Sequence, residues 1–176
     1  MSELHAGLIE VHLGTAAQLF NSMDPSPFHE KDLDHDAEAF ILGWARELPR
    51  QVPIHIVVKL RQRAGEDSAR TIRESIRHYF ANRETQVRRE VRILLEEGRI
   101  SLGIGLAFLG ITLALSRLVP ADTAWSGLVR EGLTICGWVG LWRPIEIHLY
   151  RWWPPVREAR LLRRLAEATV EVRVGA

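Results

Sequence analysis

A long uncharged run in the second half of the sequence constrains the fold more than any other feature. Residues 100–116 contain no acidic or basic side chain, and Leu118 and Val119 extend the apolar stretch to about the 20 residues that cross a bilayer core. A buried core helix is also apolar on every face, but it needs a surrounding shell of protein. The rest of a 176-residue chain supplies too little of one, so the sequence predicts a membrane-spanning helix.

A second apolar segment follows after a polar turn at residues 120–123. Residues 132–142 carry no charge but are too short to cross a bilayer alone. Extended back to Trp125, the segment reaches spanning length and includes Arg130 and Glu131, which can snorkel or pair with Arg117. The favoured interpretation is a two-helix transmembrane hairpin over residues 100–150. A re-entrant or interfacial second helix is the alternative.

Arginine is distributed unevenly about this predicted hairpin. The turn side carries only Arg117 and Arg130, and residues 1–12 lack the basic and apolar segments of a secretory signal. The other side carries ten arginines: Arg88, Arg89, Arg92, Arg99, Arg143, Arg151, Arg157, Arg160, Arg163 and Arg164. Because positively charged flanks remain inside, both termini are predicted to be cytoplasmic.

Aromatic residues agree with this orientation. Trp and Tyr favour the boundary between lipid and water, where one end of the ring is apolar and the other is wet. Trp125 marks the outer interface, and four residues mark the inner one: Trp142, Tyr150, Trp152 and Trp153.

Three short segments alternate apolar and polar residues with a period of two, which is typical of half-buried strands. They lie at residues 9–13, 54–60 and 170–174. A helix over residues 33–48 can cover the apolar face of the sheet, since Ala37, Phe40, Ile41, Trp44 and Leu48 recur at helical spacing. The third strand comes after the hairpin. The predicted fold is therefore an α+β membrane protein, with a two-helix transmembrane hairpin inserted in a small three-stranded cytoplasmic α+β domain.

Four parts of the chain follow from this prediction. Residues 1–65 form a cytoplasmic strand–helix–strand part, and residues 66–99 form an amphipathic helix continuous with the first span. Residues 100–150 form the hairpin, and residues 151–176 form an interfacial helix and a strand that returns to the cytoplasmic sheet.

Small residues of the hairpin fall in three sets with four-residue spacing, a pattern that lets helix backbones approach closely in lipid. They are Gly103, Ala107, Gly110, Ala114, Gly132, Cys136 and Gly140. The pattern fits packing within the hairpin and packing between copies of the chain equally well.

Charged and ionisable residues lie towards the ends of the predicted spans: Arg117, Arg130, Glu131, Arg143, Glu146 and His148. Such residues can line a path for ions or protons. Their position near the ends favours snorkelling and one or two ion pairs over such a path.

Two groups of residues are candidates for chemistry in the cytoplasmic part. Residues 29–36 hold the densest set of metal-binding side chains, but their spacing favours an acidic helix start. His12 and His55 are predicted on one polar sheet face near Glu10 and Glu171, where an exposed or partner-covered face is favoured over a ligand site. We predict no catalytic residue, no metal and no cofactor. The single Cys136 excludes an internal disulfide.

Two stretches carry a resemblance to known proteins. Residues 19–28 (LFNSMDPSPF) and residues 130–147, with REGL, GWV and LWRPIEI, resemble a family of uncharacterised bacterial membrane proteins. The resemblance implies a bacterial inner-membrane location and supplies no activity, cofactor or catalytic residue.

The sequence therefore favours a non-enzymatic accessory, scaffold or assembly subunit at the inner membrane, expected to be oligomeric. Its expected partners are membrane lipids and either further copies of itself or a larger membrane complex. A net charge of +1 disfavours nucleic acid. A homo-oligomeric channel or transporter is the alternative, and a membrane enzyme that uses residues 29–36 is the least favoured hypothesis.

Overall fold

The computed structural model describes residues 7–21, 32–61, 65–120 and 125–174. The chain divides into two compact units. The first unit comprises Met1–Gln86 and Glu158–Ala176, and the second comprises Val87–Arg157. The first unit holds the β-sheet and the second holds the apolar helices.

Three parallel strands form the sheet, in the order β1 (Leu8–Leu13), β2 (His55–Leu60) and β3 (Thr169–Val174). Ile9 pairs with Ile56, which pairs with Val170, and the other apolar positions continue in the same register. The three predicted strands are confirmed. Parallel strands need a crossover connection, so helices separate β1 from β2 and β2 from β3.

Helices make up most of the chain. After β1 a short 3-10 helix spans Ala16–Leu19, and α1 (His35–Glu47) leads to β2. The crossover from β2 to β3 contains α2 (Glu66–Leu118), α3 (Ser126–Gly140), α4 (Trp142–Glu146), a π-helical segment (Ile147–Arg151) and α5 (Trp153–Ala166). The prediction of one long helix that begins at Glu66 and continues into the apolar run is confirmed.

The core of the first unit collects apolar side chains from the sheet and from three helices. Ile9, Ile56, Val58 and Leu60 of the strands are buried. The helices add residues spaced three or four apart, as a packed helix face requires: Ile41 and Ala45, then Ile72, Ile76 and Phe80, then Leu162 and Leu165. Burial of these side chains is the main stabilising contribution in this unit.

Helix α1 differs from its prediction in which face it buries. It begins after Asp34, whose carboxylate accepts a hydrogen bond from the backbone N–H of Asp36 at 3.0 Å. Phe40 and Trp44 were predicted to face the sheet, and this is wrong, because they are 44% and 49% exposed. The buried stripe runs through Ile41, Leu42 and Ala45 and is thus displaced by one residue, or about 100° around the axis.

In the second unit, α3 packs antiparallel to the second half of α2. A Cβ atom added to Gly105 would lie 3.0 Å from the Gly140 carbonyl oxygen, and one added to Gly98 would lie 2.8 Å from Ile147 Cγ2. A Cβ added to Gly137 would overlap the Thr112 hydroxyl. Residue numbers rise along α2 as they fall along its neighbour, so the two chain directions are opposite. We call α2 from residue 98 together with residues 126–148 the helix pair.

The predicted membrane hairpin is found in part. One helix among the described residues, α2, is long and apolar enough to cross a membrane. Helix α3 has 15 residues and is shorter than a bilayer core requires. The return path reaches greater length only through α4 and the π-helical segment.

Substitution of Gly137 tests the packing of the helix pair. Gly137→Ala should lower the free energy of unfolding in detergent by about 1–3 kcal/mol, because the new methyl group collides with Thr112 and Leu109. Gly132→Ala on the same helix is the matched control, since a Cβ there meets nothing within 4 Å. Both variants gain the same helix propensity, so the difference between their unfolding free energies reports the collision alone. Equal unfolding free energies of the two variants would contradict the close approach.

Candidate functional site: the apolar helix pair

The outer faces of the helix pair are covered with exposed apolar side chains. In the most apolar 18 residues of α2, only 17% of residues are buried. Large exposed side chains occur on both helices: Ile100, Ile104, Leu106, Phe108, Ile111, Leu113, Leu115 and Leu118, then Leu128, Val129, Ile135, Trp138 and Val139. A monomer in water rarely exposes a contiguous apolar surface of this extent. The helix pair therefore needs a covering.

Three small residues spaced seven apart form the inner face of α2. Gly98, Gly105 and Thr112 are buried, and this spacing places them on one side of a helix. Gly137 and Leu141 are buried on the facing segment. The sequence pattern does not predict Gly98, Gly105, Thr112 or Gly137 as packing residues. The seven-residue repeat was the signal that could have identified the three residues on α2.

Hydroxyl groups in the apolar helices are satisfied within their own helix. Thr112 donates to the Leu109 carbonyl at 3.0 Å, and Ser116 donates to the Leu113 carbonyl at 2.8 Å. Thr134 donates to the Arg130 carbonyl at 2.9 Å. Such bonds remove the cost of placing a hydroxyl in an apolar environment. These polar residues are thus compatible with a surface covered by lipid.

The small residues predicted for helix packing mostly face away from this interface. A Cβ atom on Gly103, Gly110 or Gly132 would meet nothing within 4 Å, and Ala107, Ala114 and Cys136 are exposed. Gly140 is the exception, because a Cβ there would lie 2.7 Å from Phe108 Cδ1. The role of the other six in packing between copies stays a prediction.

The predicted edge charges separate into two groups at opposite ends of the helix pair. Near the turn, the Arg130 guanidinium donates to the carbonyl of Val119, just beyond the end of α2. Arg117 and Glu131 are exposed, and no ion pair joins them within the described residues. Arg130 therefore satisfies a carbonyl near the helix end, as basic residues often do there.

At the other end, Arg143 is exposed and Glu146 is half-buried. His148 lies beside Gly98, and its Nδ1 is 2.8 Å from the Pro144 carbonyl oxygen, which accepts a hydrogen bond when Nδ1 carries the proton. The register of the pair places this group near Arg99 and away from the turn. Residues 100–116 and 132–142 between the two groups contain no charged side chain.

The predicted interface aromatics are exposed at both ends. Trp125, Trp142, Tyr150 and Trp153 are each more than half exposed. Trp152 is half-buried, and its indole N–H donates to the His148 carbonyl at 2.7 Å. This bond joins Trp152 to the π-helical segment, which contains His148. Pro154 and Pro155 lack the backbone N–H groups that would bond carbonyls of the preceding turn, so the helix cannot continue regularly.

The sheet of the first unit has a polar face, as predicted. Glu10, His12, His55 and Glu171 lie on it, because residues paired in register share a face. Lys59 Nζ is 2.7 Å from Glu10 Oε2, and its hydrogen bond lowers the pKa of Glu10. The bond from Arg173 likewise lowers the pKa of Glu171. The paired residues are thus charge-compensated at neutral pH.

The acidic start of α1 does not assemble a metal site in the described residues. Asp32, Asp34, His35 and Asp36 are described, whereas His29 and Glu30 lie outside the described residues. No group of three potential metal ligands occurs in the part of the chain that the structure describes. Asp34 instead caps the helix.

A polar cluster links α1 to α2 within the first unit. Arg83 Nε is 3.4 Å from Glu38 Oε1, and the Glu38 side chain is largely buried. Burial, followed by the hydrogen bond to Glu38, raises the pKa of Tyr79 well above its usual value. The neutral phenol is therefore favoured in the folded state.

No protein-family model matches the chain, and neither a curated protein nor a solved structure matches it. The resemblance to a family of bacterial membrane proteins stays a prediction.

Tyr79 is predicted to make the first unit sensitive to alkali. Its folded pKa lies above the unfolded value of 10.0, so its stabilising contribution is complete below pH 10.0 and is lost as the pH rises further. Tyr79→Phe should cost about 1–2 kcal/mol at neutral pH and reduce the alkaline loss of stability. Denaturant unfolding from about pH 8 to about pH 11 checks this, with the exposed Tyr150→Phe as control. The same alkaline loss in all three proteins would contradict it.

Proposed function

We propose that this protein is a non-enzymatic integral membrane protein that acts as an accessory, scaffold or assembly subunit at the bacterial inner membrane. The observation that carries the proposal is the helix pair with apolar side chains exposed on its outer faces. In a bilayer these side chains are covered by acyl chains. The first unit, with both termini, lies in the cytoplasm.

The pairing of the strands supports two crossings of the membrane. β2 precedes the apolar helices and β3 follows them, yet the two strands are hydrogen-bonded in one sheet. A single crossing would leave these strands on opposite sides of the bilayer, where they could not pair. The chain between them therefore crosses an even number of times or does not cross. The exposed apolar surface favours the two crossings of a hairpin.

The lengths of the two arms also fit a hairpin. Residues 100–118 rise about 28 Å as an α-helix, which is close to the thickness of a typical hydrocarbon core. The backbone stays helical at Leu141, with φ −86° and ψ −9°, so the return arm continues from α3 into α4. Residues 126–146 rise about 31 Å together. Arg143 then extends its side chain to the headgroups.

Surface features of the first unit support a role in binding other proteins. The polar face of the sheet is exposed or half-buried apart from Val57, whereas parallel sheets are commonly covered on both faces. On α1, Phe40 and Trp44 present an aromatic pair with ring centroids 6.2 Å apart, and both side chains are exposed. Exposed aromatic residues are enriched in protein interfaces.

Cysteine labelling tests the topology. In a Cys136→Ser background, Gly127→Cys near the turn should react with an impermeant maleimide added outside intact spheroplasts. Ser68→Cys, which is exposed near the start of α2, should react only after permeabilisation. Labelling of both positions from the same side would contradict two crossings. Extraction of the protein by alkaline carbonate would contradict membrane integration altogether.

The state of the protein in mild detergent tests the scaffold role. We expect the purified protein to contain more than one copy of the chain, or a stoichiometric partner, by light scattering. Phe40→Ser with Trp44→Ser should reduce this association and leave the unfolding free energy nearly unchanged, because both residues are exposed. A lone monomer in mild detergent and in nanodiscs would contradict the proposed role.

A further inference from the structure

Residues 142–157, which include and follow the end of the helix pair away from the turn, carry arginines that have no polar partner among the described residues. The guanidinium groups of Arg143, Arg151 and Arg157 form no hydrogen bond or ion pair with the described residues, and all three are exposed. Arg157 instead lies over the ring of Trp153, with Cζ 4.8 Å from the centroid. Stacking leaves the edge N–H groups of a guanidinium free to donate.

Four aromatic residues share residues 142–157 with these arginines. The Trp152 and Trp153 rings stack with centroids 6.3 Å apart, and the indole N–H of Trp152 is held by the His148 carbonyl. Trp142 and Tyr150 are 73% and 70% exposed on the same segment. Residues 142–157 thus combine fixed aromatic rings with free cations, and Glu146 is their single carboxylate.

We infer that residues 142–157 form a binding site for the headgroup of an anionic phospholipid. The arginines donate to the phosphate oxygens, and the aromatic rings contact the glycerol region and the upper acyl chain. This inference rests on the proposed function, since it requires the helix pair to be in the bilayer. The headgroup binds at the level where the apolar side chains end.

The chemistry selects an anionic over a zwitterionic lipid. Residues 142–157 carry three free guanidinium groups and a single carboxylate, so an additional cation such as choline is repelled and a net negative headgroup is attracted. A soluble phosphate ester would satisfy the arginines alone. The exposed rings of Trp142 and Tyr150 gain contacts only when acyl chains are also present.

A titration with short-chain lipids tests the inference. The full-length protein in a non-ionic detergent is titrated with dioctanoyl phosphatidylglycerol, and tryptophan fluorescence and the unfolding temperature are recorded. We expect saturable binding that raises the unfolding temperature. Dioctanoyl phosphatidylcholine should bind weakly, and glycerol phosphate without acyl chains should not compete. Equal binding of the two lipids, or full competition by glycerol phosphate, would overturn the inference.

Variants that remove arginine charges test which residues bind the anionic lipid. Arg151→Gln with Arg157→Gln should weaken binding of the anionic lipid about thirty-fold, the effect expected of two arginines near a lipid surface. Arg70→Gln with Arg73→Gln, two exposed arginines of the first unit, is the matched control and should bind normally. Arg157→Lys keeps the charge without the planar stacking and should bind with intermediate affinity. Unchanged affinity in the Arg151 and Arg157 double variant would overturn the assignment.

Reconstitution separates this inference from the proposed function. In phosphatidylcholine vesicles the double variant should still resist carbonate extraction, because the apolar helix pair is unchanged. If the wild-type protein integrates but binds phosphatidylglycerol and phosphatidylcholine equally, the headgroup site alone is overturned. Failure of the wild-type protein to integrate would overturn both.

Discussion

The close approach of α2 and its antiparallel neighbour is the interaction on which the rest of the second unit depends. Apolar outer faces cannot hold two helices together in lipid, since the acyl chains are as apolar as the side chains. Attraction must then come from close packing, which the glycines at positions 98, 105 and 137 permit. This register fixes which residues lie at the turn and which lie at the opposite end of the helix pair.

Hydroxyl groups in the apolar middle of the helix pair are hydrogen-bonded to carbonyls of their own helix. Thr112 and Ser116 bond carbonyls of their own helix, and Arg130 bonds the Val119 carbonyl near the turn. At the opposite end, Trp152 bonds a carbonyl of the π-helical segment. Arg143, Arg151 and Arg157 are different, because their donors point to no described acceptor. A guanidinium without an acceptor in the protein costs little free energy only where water or a lipid headgroup accepts its hydrogen bonds.

Sequence patterns predicted the elements better than their packing. The period of two identified all three strands, but strand direction stayed open because parallel and antiparallel strands alternate alike. The buried stripe of α1 lies one residue away from the predicted stripe. Helical spacing alone does not show whether Phe40 and Trp44 face the core or the surface. The four-residue pattern of small residues drew attention to Gly103 and Gly110, whereas Gly98, Gly105 and Thr112 form the interface. Only the position of the neighbouring helix decides between these faces.

β3 follows the helix pair in the sequence and pairs with β2, which precedes it. The sheet is therefore complete only when the chain has passed through the helix pair and returned. β1, α1 and β2 are close in sequence and can associate early, whereas β3 pairs with β2 across more than a hundred residues. Closing so long a connection costs entropy unless its ends are brought together first. Antiparallel association of α2 and α3 does this, because it returns the chain towards the end where it entered. We therefore expect the helix pair to form before β3 completes the sheet.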